Sequence, residues 1–266
     1  ASSDPNGLAI TAGVDALGNL MHASNGTNPP SQTYGYDNLY RLTGVTDSNN
    51  NTVEGYTYGL TGDRLTKTYQ GQTNAYDYTS PLSTHQLQDI DGVARAYDPY
   101  GNTTAPSSGQ LPAFTYDDRN RLSYVHISNS PGSCIRWICN PGSDVGVSYD
   151  YNGRGERVHK DFTYSGLFGI RDDETAYLYD EEGKLLGQYL IRGNDTQAEY
   201  IYVDATPVAY VTNGIVYYVE TDQLGTPRDV VKPGAPDTVV WKWDYFASAF
   251  GENAPNQDPN NTGSSF

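Results

Sequence analysis

Tyr34-Gly35-Tyr36-Asp37-Asn38-Leu39-Tyr40-Arg41-Leu42 decides the fold, because the chain keeps repeating it. It returns as Tyr56-Thr-Tyr58-Gly-Leu-Thr-Gly62-Asp63-Arg64-Leu65 and as Phe114-Thr-Tyr116-Asp117-Asp-Arg-Asn-Arg121-Leu122. Two further copies are Tyr149-Asp150-Tyr-Asn-Gly153-Arg-Gly-Glu-Arg157-Val158 and Tyr177-Leu-Tyr179-Asp180-Glu-Glu-Gly183-Lys184-Leu185. Val14-Asp15-Ala-Leu-Gly18-Asn-Leu20 reads as a degenerate first copy. Between equivalent tyrosines at 36, 58, 78, 97 and 116 the steps are 22, 20, 19 and 19 residues. The next step, to Tyr149, is 33 residues, and the surplus holds both cysteines. The segment at about 127–146 is therefore read as a hairpin inserted at a repeat boundary.

Each unit has a direct physical reading. Tyr-x-Tyr alternates with period two and uses strand-favouring residues. The Asp that follows caps local backbone N–H groups, and Gly or Asn further on permits a positive φ. Arg/Lys-Leu then starts a return strand. The unit is thus a β-hairpin. A lone hairpin is marginal in water, so neighbours must pair edge to edge. No apolar stripe of helical period interrupts the pattern.

The composition agrees with a sheet that lacks an ordinary core. Leu, Ile, Val and Phe number 49 of 266, and the formal net charge is −16, values that on their own suggest disorder. The 24 tyrosines oppose that reading, since each buries a large ring while its hydroxyl stays hydrogen-bonded. Sixteen basic against 32 acidic residues exclude an extended nucleic-acid footprint. No apolar run is long enough to cross a membrane as a helix. No signal-peptide pattern is visible. The chain begins with Ala, which reads as a processed product or a piece of something longer.

Four residues separate Cys134 from Cys139, and Pro131-Gly132 and Pro141-Gly142 bracket the pair. That spacing suits a local disulfide at the neck of a short hairpin, and equally a pair of reduced thiols. A bridge would favour an oxidising compartment. Two Cys without partnered His fall short of a zinc site.

After about residue 198 the strands become denser in apolar residues. Tyr217-Tyr218-Val-Glu-Thr-Asp222-Gln-Leu224-Gly225-Thr226-Pro227-Arg228 is followed by Trp241-Lys-Trp-Asp-Tyr245 and Phe250-Gly251. This block, together with the Tyr-Asp units from about residue 14 onward, resembles the YD-repeat, or Rhs, family. The resemblance implies a long antiparallel β-sheet spiralling into a hollow shell. In bacterial Rhs proteins and insecticidal toxin complexes that shell encloses a toxic domain, and related repeats serve adhesion in animal teneurins. The family's self-cleaving Asp-Pro-x-Gly-Leu element has no match, since Asp258-Pro259 is followed by Asn260-Asn261. Autoproteolysis is therefore not carried over.

Catalytic patterns are weak. The four His, at 22, 85, 126 and 159, form no His-Glu-x-x-His arrangement. The acidic runs Asp117-Asp118, Asp172-Asp173-Glu174 and Glu181-Glu182 could in principle serve glycoside hydrolysis. All three are read instead as solvated turns. In the Asp222/Gly225/Pro227/Arg228 motif a structural role is expected. Asp222 caps a turn, Gly225 frees the backbone, Pro227 fixes it, and Arg228 pairs with a repeat carboxylate.

The expectations are an all-β fold with repeat hairpins over 1–198, denser core-like strands over 199–251 and a loop or tail over 252–266. The expected role is a non-catalytic, secreted or cell-surface shell segment around a toxin or cargo domain, needing no cofactor or metal. Its partners are the rest of a parent chain and its cargo. Two other readings stand beside it: self-assembly through open strand edges into a fibre or adhesin, and glycan binding on Tyr and Trp faces.

Overall fold

The computed structural model describes residues 8–26, 30–78, 85–105, 112–130, 133–135, 138–140, 143–166, 169–193 and 197–260. Side chains at 128–130, 133–135, 138–140, 143, 166 and 169–170 lie outside that description. All regular structure among the described residues is β, and every sheet pairing is antiparallel. The chain forms two compact units, one of residues 1–77 with 201–266 and one of residues 78–200. The change of pattern expected at 198/199 thus lies two residues from a unit boundary, and the first 77 residues group with the C-terminal strands.

In the first unit β1 (Ile10–Val14), β2 (Leu20–Asn25), β3 (Gln32–Tyr36), β4 (Leu42–Asp47), β5 (Thr52–Tyr58), β6 (Arg64–Tyr69) and β7 (Gln72–Asp77) pair in chain order. The second unit holds the short strands β8 (Asp89–Ile90), β9 (Val93–Ala94), β10 (Ala96–Tyr97) and β11 (Thr103–Ala105), then β12 (Ala113–Tyr116) and β13 (Leu122–Ser130). A small hairpin of β14 (Ser133–Ile135) and β15 (Ile138–Asn140) intervenes before β16 (Ser143–Tyr151), which pairs with β13. β17 (Arg157–Gly166), β18 (Gly169–Tyr179), β19 (Leu185–Arg192) and β20 (Ala198–Val203) follow, each paired with the one before. β21 (Thr206–Thr212), β22 (Ile215–Thr221), β23 (Pro227–Lys232) and β24 (Thr238–Lys242) complete the first unit as a meander.

The insertion is the β14–β15 hairpin. Its backbone register pairs Cys134 with Cys139, while the expected disulfide concerns side chains outside the described residues.

Two readings need correction. The turn that follows β16 begins at Asn152, so Tyr151, not Tyr149, is the equivalent of Tyr36 and Tyr58. Asp150 stays on the strand, where its carboxylate meets His159. The sequence offered Tyr149-Asp150 as the better match, but Gly155, not Asp150, fixes the turn: it stands three residues after Asn152 with φ +88°. Nor is Asp172-Asp173-Glu174 a turn, since all three lie within β18. Basic partners on β18 itself and on the adjacent β19 explain this. Asp172 and Glu174 share ion pairs with Arg192 on one face, while Asp173 turns to the other face and pairs with Arg171.

Burial follows period two. In β3 and β5 the inward positions are Gln32, Tyr34, Glu54 and Tyr56, all below a tenth exposed. Ala23, Tyr34 and Val45 form a small buried cluster, joined by Leu20, Leu42, Tyr245, Phe246 and Ala249. The core of this unit is therefore a thin layer between a sheet face and a C-terminal segment.

Candidate functional site

The element that organises both units is a five-residue turn. At Asp37 the main-chain N–H donates to the Arg41 carbonyl, and Tyr40 N–H donates back to the Asp37 carbonyl, both at 3.0 Å. Asp37 Oδ1 accepts the amides of Leu39 and Arg41 at 2.9 and 3.0 Å, and Oδ2 accepts Arg41 Nε at 2.7 Å. The fourth residue, Tyr40, sits at φ +59°, a position most other copies fill with Gly. Turns starting at Asp15, Asp47, Asp98, Asp117, Asp180 and Asp222 repeat the capping of two amides by one carboxylate oxygen. Hydrogen bonds from Arg121 hold the Asp117 carboxyl down at about 2.

A second rule ties one turn to the next. The tyrosine that precedes a turn donates its hydroxyl to the carbonyl five residues past the start of an earlier one. Tyr36 reaches Leu20 O, Tyr58 reaches Leu42 O, Tyr116 reaches Thr103 O, Tyr151 reaches Leu122 O and Tyr179 reaches Arg157 O, all at 2.7–2.9 Å. Burial raises the pKa of each of these phenols, which keeps the O–H donor in place. The arginine of the earlier turn then covers the tyrosine ring. Arg41 lies 4.8 Å from the Tyr58 ring centre and Arg121 lies 4.7 Å from that of Tyr151.

The Asp222 motif is one more such turn, with φ +76° at Gly225. Pro227 opens β23. Arg228 Nε donates to Asp222 Oδ2 at 2.9 Å, so its carboxylate partner is the motif's own Asp222 and not that of another repeat. Thr226, at the position where Arg41 stands in its turn, offers no long donor, and the arginine two residues on fills the place. The Arg228 guanidinium also lies 4.7 Å from the Trp243 ring centre and 4.9 Å from that of Tyr245. The main-chain N–H of Trp243 donates to the Arg228 carbonyl at 2.7 Å. A cavity of about 470 Å³ opens beside the motif, walled by Ile10, Leu20, Leu224 and Tyr245 with Asp222 and Arg228 in its lining. Those two charges engage each other there.

Arg228 thereby pins the start of a strap, residues 243–252, that lies on the inward face of β2–β6. The strap's backbone is held by two residues that sequence reading missed. Gln32 Nε2 donates to Phe246 O at 2.8 Å, and Glu54 Oε1 accepts the Ala249 amide at 2.9 Å. Each stands two residues before an inward tyrosine that bonds it, Tyr34 to Gln32 and Tyr56 to Glu54. The shared repeat position was the available signal. Phe250 meets Tyr56 edge-on at 5.1 Å, and Glu252 pairs with Lys67 and Arg64. Burial raises the Glu54 pKa. Glu252 ends below its ordinary value, because hydrogen bonds and charge from Lys67 and Arg64 outweigh its own burial.

No family model matches the chain. Over 153 residues it is 29% identical to the tRNA3(Ser)-specific nuclease WapA of Bacillus spizizenii, a match covering 52% of this chain and 6% of that protein. It is 27% identical over 277 residues to double-stranded DNA deaminase toxin A of Burkholderia cenocepacia, covering 90% of this chain and 19% of the other. The crystal structure of TcdB2-TccC3-Cdc42 superposes with a TM-score of 0.63 at 16% identity, over 89% of this chain and 13% of that one. The chain thus spans less than a fifth of each, and it shares the fold of a stretch of TcdB2-TccC3.

Proposed function

We propose that the chain is a stretch of wall in a Rhs-type, YD-repeat shell that encloses a toxin domain and keeps it from the cell that makes it. The observation that carries this reading is the rule linking consecutive turns. Every hairpin that obeys it presents the next one with the same acceptor carbonyl and, at Arg41 and Arg121, the same covering guanidinium. Such a unit adds indefinitely along a sheet without needing a globular core. The fold shared with TcdB2-TccC3 supports it, as does a match to only part of a protein named as a nuclease and of one named as a toxin. The nuclease and deaminase activities in those names are not carried over to this stretch. The segment itself is read as non-catalytic and as working outside the producing cell or at its surface.

The test uses a longer chain in which this segment precedes a toxin domain. Protease should cut the enclosed domain far more slowly than the same domain expressed alone. Equal rates would overturn the reading.

A further inference from the structure

Glu220, Asp229 and Lys242 stand opposite one another on three adjacent strands, since the register pairs Glu220 with Asp229 and Asp229 with Lys242. Residues paired this way share a face of the sheet, with Cβ atoms about 4.5–5.5 Å apart. Asp229 is 2% exposed, and its Oδ1 has no hydrogen-bond partner. Lys242 Nζ faces that oxygen at 3.6 Å, beyond hydrogen-bond range, which sets the amine beside the Asp229 carboxyl group. A buried carboxylate left in this state is costly. Burial accordingly raises its pKa, which favours the neutral acid that amide formation requires. Glu220 Oε2 accepts the Leu8 amide at 2.6 Å, which orients the third carboxylate of the row.

We propose that Lys242 and Asp229 form an isopeptide bond that staples β24 to β23, with Glu220 carrying the proton. The Lys242 Nζ–Asp229 Cγ bond forms and one Asp229 C–O bond breaks. The ammonium supplies the two protons of the departing water and keeps one on the amide nitrogen. One positive and one negative charge vanish together, so the net charge is unchanged, and no oxidant or co-reactant is needed. Asp229 loses its unmet oxygen, and the strand that leads into the strap is fixed covalently in a unit with little apolar core.

Intact-mass spectrometry of the purified protein tests this directly. The expected mass is lower than that of the sequence by one water, and trypsin should fail to cut after Lys242 in the denatured chain. An Asp229 succinimide would lose the same water but leave that cleavage intact, and so would overturn the assignment. Lys242→Arg and Asp229→Ala should restore the full mass, and Glu220→Gln should lower the cross-linked fraction of freshly made protein. Full mass with normal cleavage after Lys242 in the wild-type protein would overturn the proposal, whatever the variants do.

Discussion

The hydroxyl of Tyr58 donates to the main-chain carbonyl of Leu42 across 2.7 Å, joining the end of one hairpin to the return strand of the one before. The same ring lies under Arg41, whose Nη1 reaches Gly59 O at 3.0 Å. Tyr58→Phe keeps the ring and the cation above it but leaves a half-buried carbonyl without its donor. The expected loss is about 0.5–1.5 kcal/mol. Tyr100, 79% exposed at a turn tip, is the control, and its Phe variant should be neutral. Urea midpoints of the two variants check this. An equal effect at both positions would mean that the link between hairpins contributes nothing.

The turn at Asn152 inverts the polarity of its neighbours. Asn152 Nδ2 donates to Glu156 Oε2 at 2.6 Å, where in other turns a carboxylate accepts from Asn or Arg at that place. The two residues have exchanged charge while Asn152 Oδ1 still caps Arg154 and Glu156. Asn152→Asp, which matches the commoner turn, should therefore destabilise by about 1 kcal/mol by setting two carboxylates together. Adding Glu156→Arg should recover that loss, giving a coupling energy of about 1 kcal/mol in a double-mutant cycle.

Opposite pH responses are built into the two kinds of carboxylate. Asp15, Asp37, Asp47, Asp98, Asp117 and Asp180 are all held below the usual value, chiefly by hydrogen bonds from the residue four places on. A depressed folded pKa means the unfolded chain takes up the proton first. Their stabilisation is complete above the usual 3.8 and is lost as pH falls through each lowered value, which for Asp117 is about 2. Asp161 is raised instead, by burial and then by the neighbouring Asp172. Its penalty is felt at neutral pH and relieved as pH falls through its raised value. Asp161→Asn should stabilise the fold at pH 7 by up to about 1 kcal/mol, read as a raised melting temperature. That advantage should shrink on acidification. Thermal melts from pH 7 down to pH 2 follow both effects, and an Asp161→Asn gain that grew with acid would contradict the assignment.

Hairpins and capped turns were legible because their causes are local. Asp, a positive-φ residue and a donor four places on lie within one short stretch of chain. The turn at Asp47, with Asn51 four residues on, obeys the same spacing but has no Tyr-Asp to draw attention to it. What the sequence hid was non-local. Gln32 and Glu54 look like ordinary polar strand residues until the strap, some 200 positions later, presents Phe246 O and the Ala249 amide to them. Arg228 was visible as part of a motif, but its place over Trp243 and Tyr245 depends on how β23 leads through β24 into the strap. Asp172-Asp173-Glu174 was misread because a run of acids suggests a turn. Arg171 on the same strand, with His159 and Arg192 brought alongside by the sheet, makes it tolerable in a strand.

Glu54 supplies the sharpest test of the strap. It is fully buried, with one carboxylate oxygen on the Ala249 amide and the other on the Tyr56 hydroxyl, and burial raises its pKa. Gln in its place keeps an acceptor for Ala249 and a polar group for the phenol, as Gln32 does beside Tyr34. It also removes a charge that is costly to bury. Glu54→Gln should thus be neutral or mildly stabilising at pH 7, while Glu54→Ala strands two donors and should cost about 2–4 kcal/mol. Arg228 acts at the other end. Arg228→Lys keeps the charge near Asp222 but loses the planar stack between Trp243 and Tyr245. Amide exchange over 243–252 should therefore quicken in Arg228→Lys and in Glu54→Ala, while β4 and β5 stay protected in the first. Exchange that stayed slow in both variants would mean the strap is held by its apolar contacts with Tyr34 and Val45 alone.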